Sequence, residues 1–134
     1  MVIFLDTSAI YALANAQDSN HVSAQRSLQA LLEAGEELLT HNYVLLESVA
    51  LLRSRLGWDV TQRFLAAPPA VRIRWVDGGL HASAVEQFLS RRGRYSLVDE
   101  ISFLVMREVG VQFALSFDRD FQREGFLLYR TDGL

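Results

Sequence analysis

The sequence predicts an α/β domain built on a small, mainly parallel sheet. Three observations carry that prediction. Short apolar runs rich in β-formers alternate along the chain with longer stretches whose apolar residues recur every three or four positions. Parallel strands require crossover connections, and helices supply them. The chain has 134 residues, 50% of them hydrophobic, which suits one core, so residues 1–134 are read as a single domain. It has no cysteine, so the core must hold without disulfides.

The elements follow in order. Val2 to Leu5 is a β-rich apolar run, and a long helical stretch starts near Thr7. Ser23 to Ala34 places Ala24, Leu28, Leu31 and Leu32 on one helix face, with Gly35 as a stop. Leu38 to Thr40 is the second strand. Asn42 is expected to cap a helix running to Leu56, which Gly57 ends. A short helix from Asp59 to Ala66 stops at Pro68-Pro69, and Val71 to Val76 is the third strand. Helical spacing returns from Leu80 to Arg91 and from Leu97 to Val109, where Gly110 closes the segment. Val111 to Phe117 is the fourth strand, Phe121 begins a brief connection, and Phe126 to Tyr129 is the last strand, leaving a five-residue tail that reads as unstructured.

Composition removes several function classes. Without cysteine there are no thiolate zinc sites, iron–sulfur clusters or cysteine nucleophiles. All 13 basic residues are arginines, so a Walker A lysine and a lysine Schiff base are excluded. The longest uninterrupted apolar run is Ala9 to Ala14, far short of the roughly 20 residues a spanning helix needs. No arginine precedes Arg26, so a secretory leader is not expected and a cytoplasmic location is.

In an open parallel sheet, ligands bind beyond the carboxyl ends of the strands, where strand order reverses. Asp6 follows the first strand, and Asp118 and Asp120 follow the fourth. Each also has a structural explanation: Asp6 as a helix cap, Asp118 and Asp120 as turn formers or caps. Glu47 has Tyr43, Val44, Ala50 and Leu51 as helical neighbours, so it lies on an apolar face, where a hydroxyl or an arginine is the alternative partner. Asp99 follows Ser96 by three residues and can complete a variant capping box. Four acids on four elements have a joint explanation that separate caps lack. Carboxylates about 4 Å apart repel by roughly 4 kcal/mol per pair at an effective dielectric near 20, unless a cation enters. Oxygen-only ligands favour Mg²⁺ or Mn²⁺, and the chemistry that follows is metal-assisted attack on a phosphodiester.

These segments resemble the PIN-domain nucleases and, among them, the VapC-type toxins of toxin–antitoxin pairs. FLDTSAIYAL (Phe4 to Leu13) is similar to the family's opening strand and first acid, THNYVLLE (Thr40 to Glu47) to the second-acid helix, SLVDEISFLVMREVG (Ser96 to Gly110) to the third, and ALSFDRDF (Ala114 to Phe121) to the fourth. The acids Asp6, Glu47, Asp99 and Asp118 are spaced by 41, 52 and 19 residues, in the family's order. The resemblance implies a PIN-like three-layer fold with strand order 3-2-1-4-5 and helices on both faces. It implies a Mg²⁺- or Mn²⁺-dependent ribonuclease, commonly a homodimer, with an antitoxin that covers the acidic groove. Asp6, Glu47, Asp99 and Asp118 would form the catalytic metal site, with Asp120 auxiliary and Thr7 and Ser8 orienting Asp6 or a bound water.

Arg91, Arg92 and Arg94, in the loop leading to Asp99, are candidate grips for RNA phosphates; the alternative is a solvated charge run. No histidine is needed as a base, and His21, His41 and His81 read as surface or capping residues. The net charge is −3, so broad electrostatic capture of RNA is not expected. Setting the four site acids aside leaves 12 acids against 13 arginines, a nearly neutral remainder. A catalytically inactive PIN-fold protein-binding module is the main rival. An aspartate-phosphorylating phosphatase is disfavoured by the absent lysine and by serine at position 8.

Overall fold

The computed structural model describes residues 1–68 and 70–131. Twelve elements run in the order β1 (Val2–Leu5), α1 (Thr7–Ala14), α2 (His21–Glu33), β2 (Glu37–His41), α3 (Asn42–Leu56), α4 (Trp58–Ala66), β3 (Arg72–Arg74), α5 (Gly78–Ser90), α6 (Leu97–Val109), β4 (Phe113–Leu115), α7 (Asp120–Arg123) and β5 (Leu127–Leu128). The five strands form one sheet in the order β3-β2-β1-β4-β5, every pairing parallel, flanked by helices. Both the α/β class and the strand order agree with the sequence reading.

β1 is central. Ile3, Phe4 and Leu5 are fully buried, as expected for a strand covered on both faces. Its four residues also limit its neighbours: Ile3 to Leu5 align with Phe113 to Leu115, and Val2 to Phe4 with Glu37 to Leu39. The apolar runs at 71–76, 111–117 and 126–129 form shorter strands than their composition suggests, because each pairs with its neighbour over only two or three positions. An extended run without a partner leaves the ladder and becomes the turn that carries polar groups.

Three local expectations change. The stretch after Thr7 is an eight-residue helix, because Asn15, Asp18 and Asn20 bond among themselves in a turn: Asp18 N donates to Asn15 O, and Asn20 N to Asp18 Oδ1. Asn42 is not the cap of α3. His41 is, its Nδ1 accepting from Val44 N at 3.2 Å, while Asn42 Oδ1 accepts from Val76 N and fastens the helix to the segment after β3. The connection at Phe121 is the short helix α7. α4 ends at Ala66 as expected; Pro69 lies outside the described residues, as do the last three residues of the expected tail.

An aromatic cluster sets the elements around the strand-order reversal. Phe121, fully buried, packs against Phe4 at 6.0 Å and edge-on against Phe103 at 5.3 Å, and Phe103 also meets Tyr95 and Phe126. Such ring pairs add about 0.5–1.5 kcal/mol each beyond area burial. They tie α7, which begins at Asp120, to α6, which carries Asp99.

Candidate metal centre

The chain leaves β1 at Asp6, whose amide donates to Leu115 O, so the ends of β1 and β4 are joined where strand order reverses. Asp6 is buried and caps α1. Its Oδ2 accepts from the Ser8 and Ser116 hydroxyls, both at 2.8 Å, and from Ser8 N at 3.4 Å. The two serines also bind the opposite wall: Ser8 Oγ accepts from Phe117 N, and Ser116 Oγ from Asp118 N. Burial pushes the Asp6 carboxyl up; the bonds from Ser116, Ser8 and the Thr7 backbone oppose this, and the Asp118 charge adds to the rise.

Asp99 sits in the first turn of α6. Ser96 caps that helix by accepting from Asp99 N at 3.1 Å. Among the described residues the Ser96 amide donates no reciprocal bond to the Asp99 carboxylate, so only half of the capping box is present. Burial first, then the charges of Asp6 and Asp118, push the Asp99 carboxyl up to about 7. Asp118 shapes the turn after β4 by accepting from Asp120 N at 2.9 Å, and Asp120 pairs with Arg123 one turn along α7. The structural explanations for Asp6 and Asp118 are thus real, whereas Asp120 neither caps α7 nor forms a turn and pairs with Arg123 instead; the three acids nevertheless converge.

Each of Asp99, Asp118 and Asp120 offers a carboxylate oxygen within 4.8 Å of the other two. Asp6, Glu47, Asp99 and Asp118 line one groove of about 410 Å³, together with Asp18 and, as the one cation among the described residues, Arg55. All four sequence-predicted acids therefore share a groove, and Asp120 joins from α7. Glu47 is half-buried on α3 and stands outside the tightest group. A second cavity of similar size, between α1, α2 and α4, is walled by Ile10, Leu13, Leu28 and Phe64 and holds no acid.

The supporting residues divide differently from expectation. Ser8 bonds Asp6, but the Thr7 hydroxyl does not: it is buried without a partner, and the role expected of it falls to Ser116. Ser116 escaped the sequence reading because its partner lies 110 positions away; its place two residues before Asp118 was the available signal. Arg91 is committed to Glu124 and lies 3.6 Å from buried Glu100, whereas Arg92 and Arg94 are exposed; none of the three lines the groove. Of the two roles expected of it, His41 takes the capping one, at the start of α3, and it is fully buried, held neutral by burial with its pKa lowered to about 3. With Nδ1 accepting from Val44, its Nε2 donates to Ser102 Oγ at 2.9 Å, and Ser102 donates to Val98 O. That chain braces the start of α3 against α6.

Comparison with known proteins decides the family. The family model described as PIN domain matches residues 3–127. The chain belongs to the PIN-domain family. It is 37% identical over 134 residues to the 23S rRNA-specific endonuclease VapC20 of Mycobacterium tuberculosis, in both the CDC 1551 / Oshkosh and H37Rv strains, covering 98% of this chain and 100% of the relative. It is also similar to the crystal structure of M. tuberculosis VapC20, a sarcin-ricin-loop-cleaving toxin, with a TM-score of 0.82 and 37% identity over 96% of this chain and 98% of that one. The expected recognition as a VapC-type PIN protein therefore holds, and with it the assignment as a nuclease.

Proposed function

We propose that this protein is a divalent-cation-dependent ribonuclease toxin that cuts an exposed RNA loop, with the sarcin-ricin loop of 23S rRNA as its substrate. The observation that carries the reading is the meeting of acids from four elements in one groove at the strand-order reversal. The 37% identity to an endonuclease of that specificity supports the substrate.

The donor set suits Mg²⁺ or Mn²⁺: it is all oxygen, and the buried Thr7 hydroxyl beside Asp6 lacks a partner, as a group waiting for a hydrated ion would. Asp99, Asp118 and Asp120 would hold the ion most closely, with Asp6 and Glu47 completing the site, directly or through water. When bound, such an ion supplies the Lewis acidity that activates water and offsets charge on the phosphate. Ser8 and Ser116 fix the Asp6 carboxylate in one orientation, and Ser116 also fixes the turn that aims Asp118. His41, kept neutral and committed at both nitrogens, is not the base.

The VapC resemblance further supports a cognate antitoxin, a homodimer and action in the cytoplasm. No helix among the described residues is long and apolar enough to cross a membrane. The test is incubation of purified, antitoxin-free protein with a sarcin-ricin stem-loop RNA and with an unstructured RNA, in Mg²⁺ or in EDTA. Site-specific cleavage of the stem-loop that requires Mg²⁺ and vanishes in Asp6→Asn is expected. Absence of divalent-dependent cleavage overturns the reading in favour of the protein-binding module.

A further inference from the structure

Five carboxylates lining one groove repel a polyanionic RNA strand, so the one cation in its wall among the described residues is informative. Arg55 lies two turns beyond Glu47 on the same face of α3, with Leu51 between them, and all three line the groove. Its guanidinium carbon stands 5.4 Å from the centroid of the Tyr11 ring, on α1, which lines the groove as well. Among the described residues Arg55 joins no ion pair and donates no hydrogen bond, despite the acids around it.

A ring contact orders a guanidinium without neutralising it or occupying its N–H groups. The result is a positioned cation with its donors free, beside an aromatic surface, in the groove that carries the acids. Single-stranded RNA is recognised by that pairing of groups: bases stack on aromatic rings or guanidinium planes, while arginine grips phosphate oxygens.

We propose that Arg55 and Tyr11 form a nucleotide subsite, with Arg55 holding a backbone phosphate of the bound RNA and the Tyr11–Arg55 stack receiving a base. The proposal rests on the ribonuclease reading above. The structural alternative is that Arg55 merely complements the C-terminal dipole of α3, and Arg53 provides the matched control. It occupies the same last turn and carries the same charge but does not line the groove.

Steady-state cleavage of a labelled sarcin-ricin stem-loop RNA in Mg²⁺ separates the two. Arg55→Met is expected to raise KM about five- to ten-fold with kcat little changed, and to flatten the dependence of log(kcat/KM) on log salt by about 0.7. Arg53→Met is expected to do neither. Tyr11→Ala is expected to raise KM about five-fold or more, and Tyr11→Phe, which keeps the ring, to stay near wild type. Melting temperatures of the variants identify any that fail to fold, and Arg55→Lys then serves as the second variant, retaining the salt dependence while losing the planar stack. If Arg55→Met behaves as Arg53→Met does while the wild type cuts RNA, the subsite is overturned and the ribonuclease reading stands. A wild type that cuts no RNA overturns both.

Discussion

Replacing Asp99 with asparagine should make the cation-free protein more stable, and the gain should depend on pH. The Asp99 carboxyl is pushed up to about 7 from its ordinary 3.8, by burial and then by Asp6 and Asp118. A rise of about 3 is worth about 4 kcal/mol. Asp99 is only partly buried, so solvent screening halves this to about 2 kcal/mol. An acid in the first turn of a helix gains about 0.5 kcal/mol from the dipole, which asparagine forfeits. The net is about 1.5 kcal/mol, or about 6 °C in Tm for a chain of this size. The sign follows from the raised value: below 3.8 the group is protonated whether folded or unfolded and costs nothing, and the penalty grows until ionisation is complete above about 7. In EDTA, Asp99→Asn should therefore melt about 6 °C above wild type at pH 8 and level with it near pH 3.5. Mg²⁺ should raise the wild-type Tm at pH 8 and leave the variant nearly unmoved. Calorimetry at both pH values, with and without Mg²⁺, provides the measurement. A gap that is absent at pH 8, or constant across the range, would refute the claim that these acids repel one another in a shared groove.

The other outcomes rest on single contacts. Arg91→Met should lower Tm by an amount corresponding to about 2 kcal/mol, because buried Glu100 loses its nearest cation and Glu124 is left with Arg107 alone at 3.6 Å, while Arg92→Met should leave Tm unchanged; thermal melts of both check this. His41 is held well below its ordinary 6.5, so its contribution is complete above 6.5 and is lost as pH falls toward 3. A His41→Ser variant, still able to cap α3, should be less stable than wild type at pH 7 and close the gap near pH 4, as read by urea melts. Asp118→Ala removes the oxygen that receives Asp120 N, a loss of about 1 kcal/mol, whereas Asp118→Asn keeps that acceptor while removing a charge that raises Asp6 and Asp99, so in EDTA it should melt at or above wild type and above the Ala variant. Both should be inactive in the stem-loop assay, and an Asn variant as unstable as the Ala variant would show that the turn needs the charge.

What could be read from the sequence was whatever depends on neighbours along the chain. Asp6 and Asp118 were legible because each directly follows an apolar run, and a parallel sheet brings such positions to one edge. Asp99 was legible through Ser96, three residues before it. What escaped is decided by partners far away in sequence. A capping role for His41 was among the readings, but not its burial, which its other nitrogen satisfies by reaching Ser102, 61 positions on, so that it rather than the intrinsically better cap Asn42 closes α3. Arg91 looked like a surface cation until Glu124, 33 positions on, was seen to bind it. Strand lengths were overcalled because a residue's β preference does not state whether a partner lies opposite, and β3, β4 and β5 each find one over only two or three positions.

The division of labour within each carboxylate shows how the structural roles of these acids are compatible with a shared metal site. Asp6 accepts its hydrogen bonds from the two serines on Oδ2, Asp118 receives Asp120 N on Oδ1, and Asp120 meets Arg123 through Oδ1. In each case one oxygen closes a cap, turn or helix pair, and that bond fixes where the other oxygen points. A carboxylate used this way is oriented by the backbone it stabilises, so the site needs few dedicated supports: Ser8 and Ser116 serve both walls at once. The cost appears as the raised carboxyls of Asp6 and Asp99, to which burial contributes first and the repulsion among the anionic oxygens adds. Because each acid is locked by local structure, relaxation of the side chains cannot relieve that repulsion, and a hard divalent cation or a proton is what remains to do so.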